Sequence, residues 1–131
     1  MPNIFYRFIK FLGMLILMLL VFTVPALWSL GHVLWYKNHP VNFDQLTWQE
    51  AEKETHANTT YVRLQMASNL IQSGALINKD EPDVIKLLGK PQNHPAISGT
   101  AYWLSPNGLD SMWLQIIYEK GIVKNVAIVG D

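Results

Sequence analysis

The sequence predicts an α+β fold, in which an N-terminal transmembrane helix is followed by a small ααβββ domain with two helices packed on a three-stranded antiparallel meander. Three observations carry this expectation. No charged residue lies between Lys10 and Lys37. Apolar stripes of helical period follow, and from Thr100 onward the period shortens to that of extended strands. The chain of 131 residues leaves room for one modest domain beside the helix. The expected division is residues 1–37 for a cytosolic stub and signal anchor, 38–46 for a linker, and 47–131 for an extracytoplasmic domain.

The first element is the apolar run FLGMLILMLLVFTVPALWSL, Phe11 to Leu30. About 20 helical residues cross a hydrocarbon core roughly 30 Å thick, and a helix satisfies its own backbone there. Arg7 and Lys10 precede the run and only Lys37 follows closely, so the positive-inside tendency places the N-terminus in the cytosol. Trp35, Tyr36 and Lys37 have the character of an interfacial belt: amphipathic rings at headgroup depth and a snorkelling lysine. The same stretch also fits a secretory signal cleaved near Ala26, with small residues at Val24 and Ala26. Apolar character continuing through Leu27, Trp28, Leu30, Val33 and Leu34 favours the uncleaved anchor.

Beyond a turn at Asn38-His39-Pro40, Thr47-Trp48-Gln49-Glu50 has the form of a capping box opening a helix. A break is expected near Asn58-Thr59-Thr60, which are poor helix formers. Tyr61, Leu64, Ala67, Leu70 and Ile71 then form one apolar stripe, and Gly74 supplies a left-handed C-terminal residue. Asp80-Glu81-Pro82-Asp83 opens the next helix with an N-cap carboxylate, early acids and a first-turn proline. Val84, Leu87 and Leu88 form its buried face, and Gly89 and Pro91 end it. Thr100 to Leu104, Met112 to Tyr118 and Ile122 to Val129 read as strands, with turns at Pro106-Asn107-Gly108 and Glu119-Lys120-Gly121.

Composition narrows function. Residues 38–131 hold seven Lys/Arg against ten Asp/Glu, and an acidic domain lacks the electrostatic footprint of nucleic-acid binding. Cysteine is absent, which removes disulfides, thiol nucleophiles and thiolate metal sites. His32, His39, His56 and His94 have no spacing that sets two on one helix face, so no metal or other cofactor is expected. Glu50, Glu52 and Glu54 alternate and do not share a helix face. Ser111 beside Asp110, with His56 or His94 as base, lacks a nucleophile elbow or oxyanion glycine. The expectation is a protein that is not an enzyme and has no small-molecule substrate.

Leu70-Ile71, Leu76, the run DEPDVIKLLGKP from Asp80 to Pro91, Tyr102-Trp103-Leu104, Trp113-Leu114-Gln115-Ile116 and Lys120-Gly121-Ile122-Val123 together resemble the BamE-like family. These proteins, also called SmpA/OmlA, are small envelope lipoproteins of the outer-membrane β-barrel assembly machinery, with a fold shared by a β-lactamase inhibitor protein. The resemblance covers Tyr61 to Val129 and is strongest at Val84 to Pro91. It implies the fold and a habit of protein binding. Family lipoproteins carry a lipobox cysteine, and this chain has none, so lipid attachment does not carry over.

The expected function is a non-enzymatic, membrane-anchored envelope protein acting as a periplasmic interaction or assembly module, single-pass in the inner membrane with its domain outside. The expected partners are the membrane and another envelope or membrane protein. Alternatives are an inhibitor or immunity-type protein binding an enzyme, and a secreted protein after cleavage near Ala26. Strand alternation sets Trp103, Trp113, Gln115 and Ile117 on one phase, opposite Leu104 and Leu114. That phase is either an outward partner-binding patch or core turned toward the helices.

Overall fold

The computed structural model describes residues 2–53, 61–107 and 110–131. Its elements are α1 (Pro2–Lys37), α2 (Gln45–Lys53), α3 (Val62–Ser73), α4 (Glu81–Leu88), β1 (Thr100–Asn107), β2 (Asp110–Glu119) and β3 (Ile122–Gly130). The α+β class and the order of helices followed by a β-meander stand, with strand order β1-β2-β3 and both pairings antiparallel. Among the described residues the domain holds three helices after α1 instead of two, because α2 is a separate element with its own place in the core.

Helix α2 corrects the expected capping box. It starts at Gln45, and Asp44 is the residue that closes its first turn: the carboxylate accepts from the Thr47 N–H at 2.8 Å and the Thr47 hydroxyl at 2.6 Å. An aspartate three residues ahead of the threonine satisfies an orphan N–H outright, and these hydrogen bonds hold its carboxyl below the usual range. The break expected near Asn58 to Thr60 lies outside the described residues.

Helices α3 and α4 follow their sequence signals. Leu64, Ala67 and Leu70 are buried, with Tyr61 and Ile71 packed partly against them, and Gly74 ends α3 at φ +65°. Asp80 caps α4 by accepting from Asp83 N–H, and Val84 and Leu88 are fully buried. The last carbonyls of α4 would be orphans, and distant residues take them up. Gln45 Nε2 donates to Lys86 O at 2.8 Å, Trp48 Nε1 to Leu88 O at 2.9 Å, and Tyr102 Oη to Gly89 O at 2.9 Å. Helix α2 is therefore the C-terminal cap of α4.

Trp48 and Arg63 tie the layers together. Both are buried, with the guanidinium 4.6 Å over the indole, a favourable cation–π geometry. Arg63 donates to Trp48 O at 2.9 Å and to Trp103 O at 3.1 Å. The second acceptor is available because Trp103 presents its main-chain groups to the outer edge of β1, where Gln92 takes its N–H.

One face of the sheet, with Tyr102, Leu104, Met112, Leu114 and Ile116, closes on the helices in the main core. A second bulge, between Ile117 and Tyr118, leaves Lys124 unpaired: Ile117 faces Asn125 and Tyr118 faces Val123. That extra residue shifts the alternation of β3 by one position at Lys124. The β2–β3 turn has Lys120 at φ +52° and Gly121 at φ +77°, the paired positive values of a tight hairpin turn.

The segment expected as a linker is strapped to α3. Val41 N–H donates to Gln65 O, Gln65 Nε2 to His39 O, and Phe43 N–H to Asn69 Oδ1. Helix α1 itself, apolar enough and long enough to cross a membrane, enters the domain at its end. Val33 is 2% exposed and belongs to the main core, and α1 packs on α3 and β1.

Candidate functional site

The four residues expected to share a phase do share a face. Trp103 and Trp113 are direct cross-strand partners, Gln115 lies opposite Ala101, and Ile117 follows on β2. This face points away from the helices and forms its own small cluster with Ile97, Ala101 and Val129. It is not bare. The loop Gln92 to Gly99 crosses it, with Ile97 buried over Trp113, which is 7% exposed, while Trp103 and Ile117 remain half-buried. The covering loop is a third possibility beside an open patch and a helix-facing core, and strand alternation carries no signal for it.

Several contacts fix that loop. Asn93 N–H donates to Ala101 O at 2.9 Å, and Asn93 Oδ1 accepts from Ala101 N–H at 3.0 Å. Gln92 Oε1 accepts from Trp103 N–H at 3.0 Å, and Gln115 Nε2 donates to Ser98 O and Ser98 Oγ. Asn93 holds φ +54°, a left-handed conformation that asparagine tolerates better than most residues. Gly99 has φ +78°, and a Cβ there would meet Ile116 O and Ile117 Cδ1 at 2.8 Å. Glycine is required where the loop turns onto the sheet.

Asp131 clasps one end of this face. Its carboxylate accepts from Ser111 N–H at 2.6 Å and Trp113 Nε1–H at 3.1 Å, and lies 3.6 Å from His94 Nε2. The Ser111 hydrogen bond is the main cause that holds the Asp131 carboxyl below its ordinary range, with burial opposing it and Trp113 and His94 assisting. Ser111 takes part through its backbone N–H, and among the described residues its hydroxyl makes no hydrogen bond to His94. His56 lies outside the described residues. Among the described residues no three or more His, Asp or Glu side chains gather where they could hold a metal ion.

The residues expected at a membrane interface form the junction between α1 and the domain. Tyr36 stacks on Tyr61 with centroids 4.4 Å apart and planes 6° from parallel, and Trp35 stacks on His39 at 4.0 Å. His32 stands between Trp28, Tyr36 and Tyr61 at 5.2 to 6.4 Å. Burial, and after it the Tyr36 neighbour, pushes the Tyr61 phenol up. Lys37 ends the helix, where a cation complements the dipole. Trp35 stays exposed, whereas Tyr36 is half-buried against the core. The belt thus has one ring turned outward and one used to seat the helix.

These features define a class: a small α+β domain built onto the end of a long apolar helix, its outer sheet face closed by a clasped loop. Compared with known proteins, the chain matches no family model, no curated protein and no solved structure.

Proposed function

We propose that the protein is a non-enzymatic, single-pass envelope protein: α1 is an uncleaved anchor in the inner membrane, and the domain outside binds another membrane or periplasmic protein. One observation carries this reading. Val33 lies in the domain's core and Tyr36 stacks on Tyr61, so the apolar helix is a structural part of the domain. At 1.5 Å per residue, the 36 residues of α1 extend about 54 Å, enough to cross the hydrocarbon and still reach into the fold. Cleavage after Ala26 would leave Leu27, Trp28, Leu34 and Trp35 at 48 to 69% exposure as a greasy stub in water. Basic residues before the span support a cytosolic N-terminus.

The BamE-like resemblance of Tyr61 to Val129 supports protein binding in the envelope, with the helix replacing the lipid that a lipobox cysteine would carry. On the outer face, half-buried Trp103 and Ile117 are the residues left to meet a partner, while Trp113 and Gln115 hold the loop beneath them. Intact mass of the membrane-extracted protein tests the anchor. A full-length chain resisting alkaline extraction is expected, and a chain beginning at Leu27 would overturn it. For the outer face, co-purification from detergent extracts should weaken with Trp103→Ala, and unchanged recovery of every partner removes that surface.

A further inference from the structure

The two edges of the sheet are treated differently. The outward groups of β1 are taken up by Gln92, Asn93 and Arg63 side chains and the Asn93 backbone. On β3 only the start is covered, where Val123 exchanges hydrogen bonds with Asn78 and Lys79 and Ile122 bridges Asp80. From Asn125 to Val129 no described residue outside the sheet hydrogen-bonds to the β3 main chain. This open stretch contains Val126, Ala127, Ile128 and Val129, all half-buried, with no charge, proline or bulge. Exposed edges of that composition are templates for another strand, and proteins normally blunt them.

Beside this edge runs a groove of about 400 Å³ between β3 and α3, lined by Ser68, Ile71 and Gln72, by Val126, Ala127 and Ile128, and by Lys37 and Asn38 where α1 ends. Ser68 is 5% exposed, and its hydroxyl is buried with no hydrogen-bond partner. We infer that the β3 edge receives an extended segment of a partner membrane protein by strand addition, uncharged except for an acidic residue at the Lys37 end. The open main chain recognises an extended backbone, and the groove takes alternate side chains. Lys37 is the cation of the lining and makes no ion pair among the described residues. It also marks where α1 enters the domain, so the segment that fits is one leaving the bilayer beside α1. Placement at a bilayer rests on the proposed anchoring, but the edge itself is a property of the domain.

The test uses full-length protein in single-copy lipid nanodiscs and a fluorescent peptide of about six residues, a common strand length, made of one aspartate followed by alternating threonine and valine. Saturable binding and at least about tenfold slower amide exchange at Val126 and Ile128, whose amides face the open edge, are expected. Binding should fall about tenfold or more when alternate peptide amides are N-methylated, which removes main-chain donors. Gln72→Trp, which fills the groove from an exposed position, should weaken binding comparably without changing the thermal midpoint. Equal binding of the methylated peptide, or none at about 1 mM, the weak end of specific affinity, overturns the inference. Protection that instead appears without peptide in discs loaded with two copies identifies a second copy as the occupant and overturns it as stated. A chain that proves to be cleaved, yet still binds the peptide, removes the anchoring while leaving strand addition intact.

Discussion

The β1 and β3 edges belong to one meander and carry comparable apolar sequence, yet one is closed and the other is open. The β1 edge is closed by groups that imitate a neighbouring strand: Asn93 donates its backbone N–H to Ala101 O and accepts from Ala101 N–H through its side chain, and the Gln92 side chain serves Trp103. The β3 edge has a backbone neighbour only at Val123 and Ile122. Edge protection is therefore a matter of which loop returns to which strand, and the loop after α4 returns to β1. The same loop closes the outer face, so edge and face are protected by one device.

Substitutions can break this contrast, and the largest effect belongs to Arg63. Arg63→Leu takes the Arg63 donor from Trp48 O and Trp103 O, and a loss of about 3 kcal/mol is expected from one buried and one partly buried charge-assisted hydrogen bond. Chemical denaturation of the detergent-solubilised chain measures it. Gly99→Ala comes next, because a Cβ at φ +78° would meet Ile116 O at 2.8 Å. A cost of about 2 kcal/mol, in the range of left-handed strain plus a backbone clash, should appear in the same titration together with faster amide exchange at Ala101 and Trp103.

Asn93→Ala sharpens the comparison directly. It removes the Oδ1 acceptor of Ala101 N–H and places alanine at φ +54°, so about 1–2 kcal/mol is expected. Its counterpart on the open edge, Ala127→Lys, should stay within about 0.5 kcal/mol of wild type, as surface changes away from special features do. Equal losses at the two positions would contradict the difference drawn between the edges.

Smaller effects come from two titratable groups at the sheet. Burial, and after it the Glu81 charge, pushes the Tyr118 phenol up to about 12, and its hydroxyl is buried without a hydrogen-bond partner. Tyr118→Phe should gain about 0.5 kcal/mol. A raised native pKa means that stability is retained below the ordinary phenol range and lost as pH rises from about 10 toward 12, and the Phe variant should lack that alkaline decline. Asp131 has the opposite sign. Its carboxyl is held low chiefly by Ser111 N–H, so its contribution is present above the ordinary carboxylate range and lost as pH falls below about 4. Asp131→Asn should flatten that acid limb, read from Trp113 fluorescence.

Much of the fold is legible in the sequence because its signals are local. Asp80, Pro82 and Gly89 punctuate α4 within one or two turns, and the Leu64, Ala67 and Leu70 stripe needs only helical period. Helix α2 was misplaced at its start because Asp44 and Thr47 both suit a cap, and Asp44 forms it. Its third-helix role is invisible locally, since it depends on Trp48 reaching Leu88 O some 40 residues away. The candidate face was legible only as a phase. Alternation put Trp103, Trp113, Gln115 and Ile117 together, but the bulge at Lys124 and the loop over Trp113 obey no period.

By itself, then, the sequence determined a long apolar helix with no charge between Lys10 and Lys37, an α+β domain after it, and which residues share each stripe and strand phase, because periodicity, capping and hydrophobicity act within a few residues of chain. The tertiary structure alone decided that Val33 belongs to the domain's core and Tyr36 packs against it, that Arg63 bridges Trp48 and Trp103, and that one sheet edge is closed while the other stays open. Those outcomes depend on contacts between residues far apart in sequence, where backbone groups left over by one element find partners, or fail to, on another.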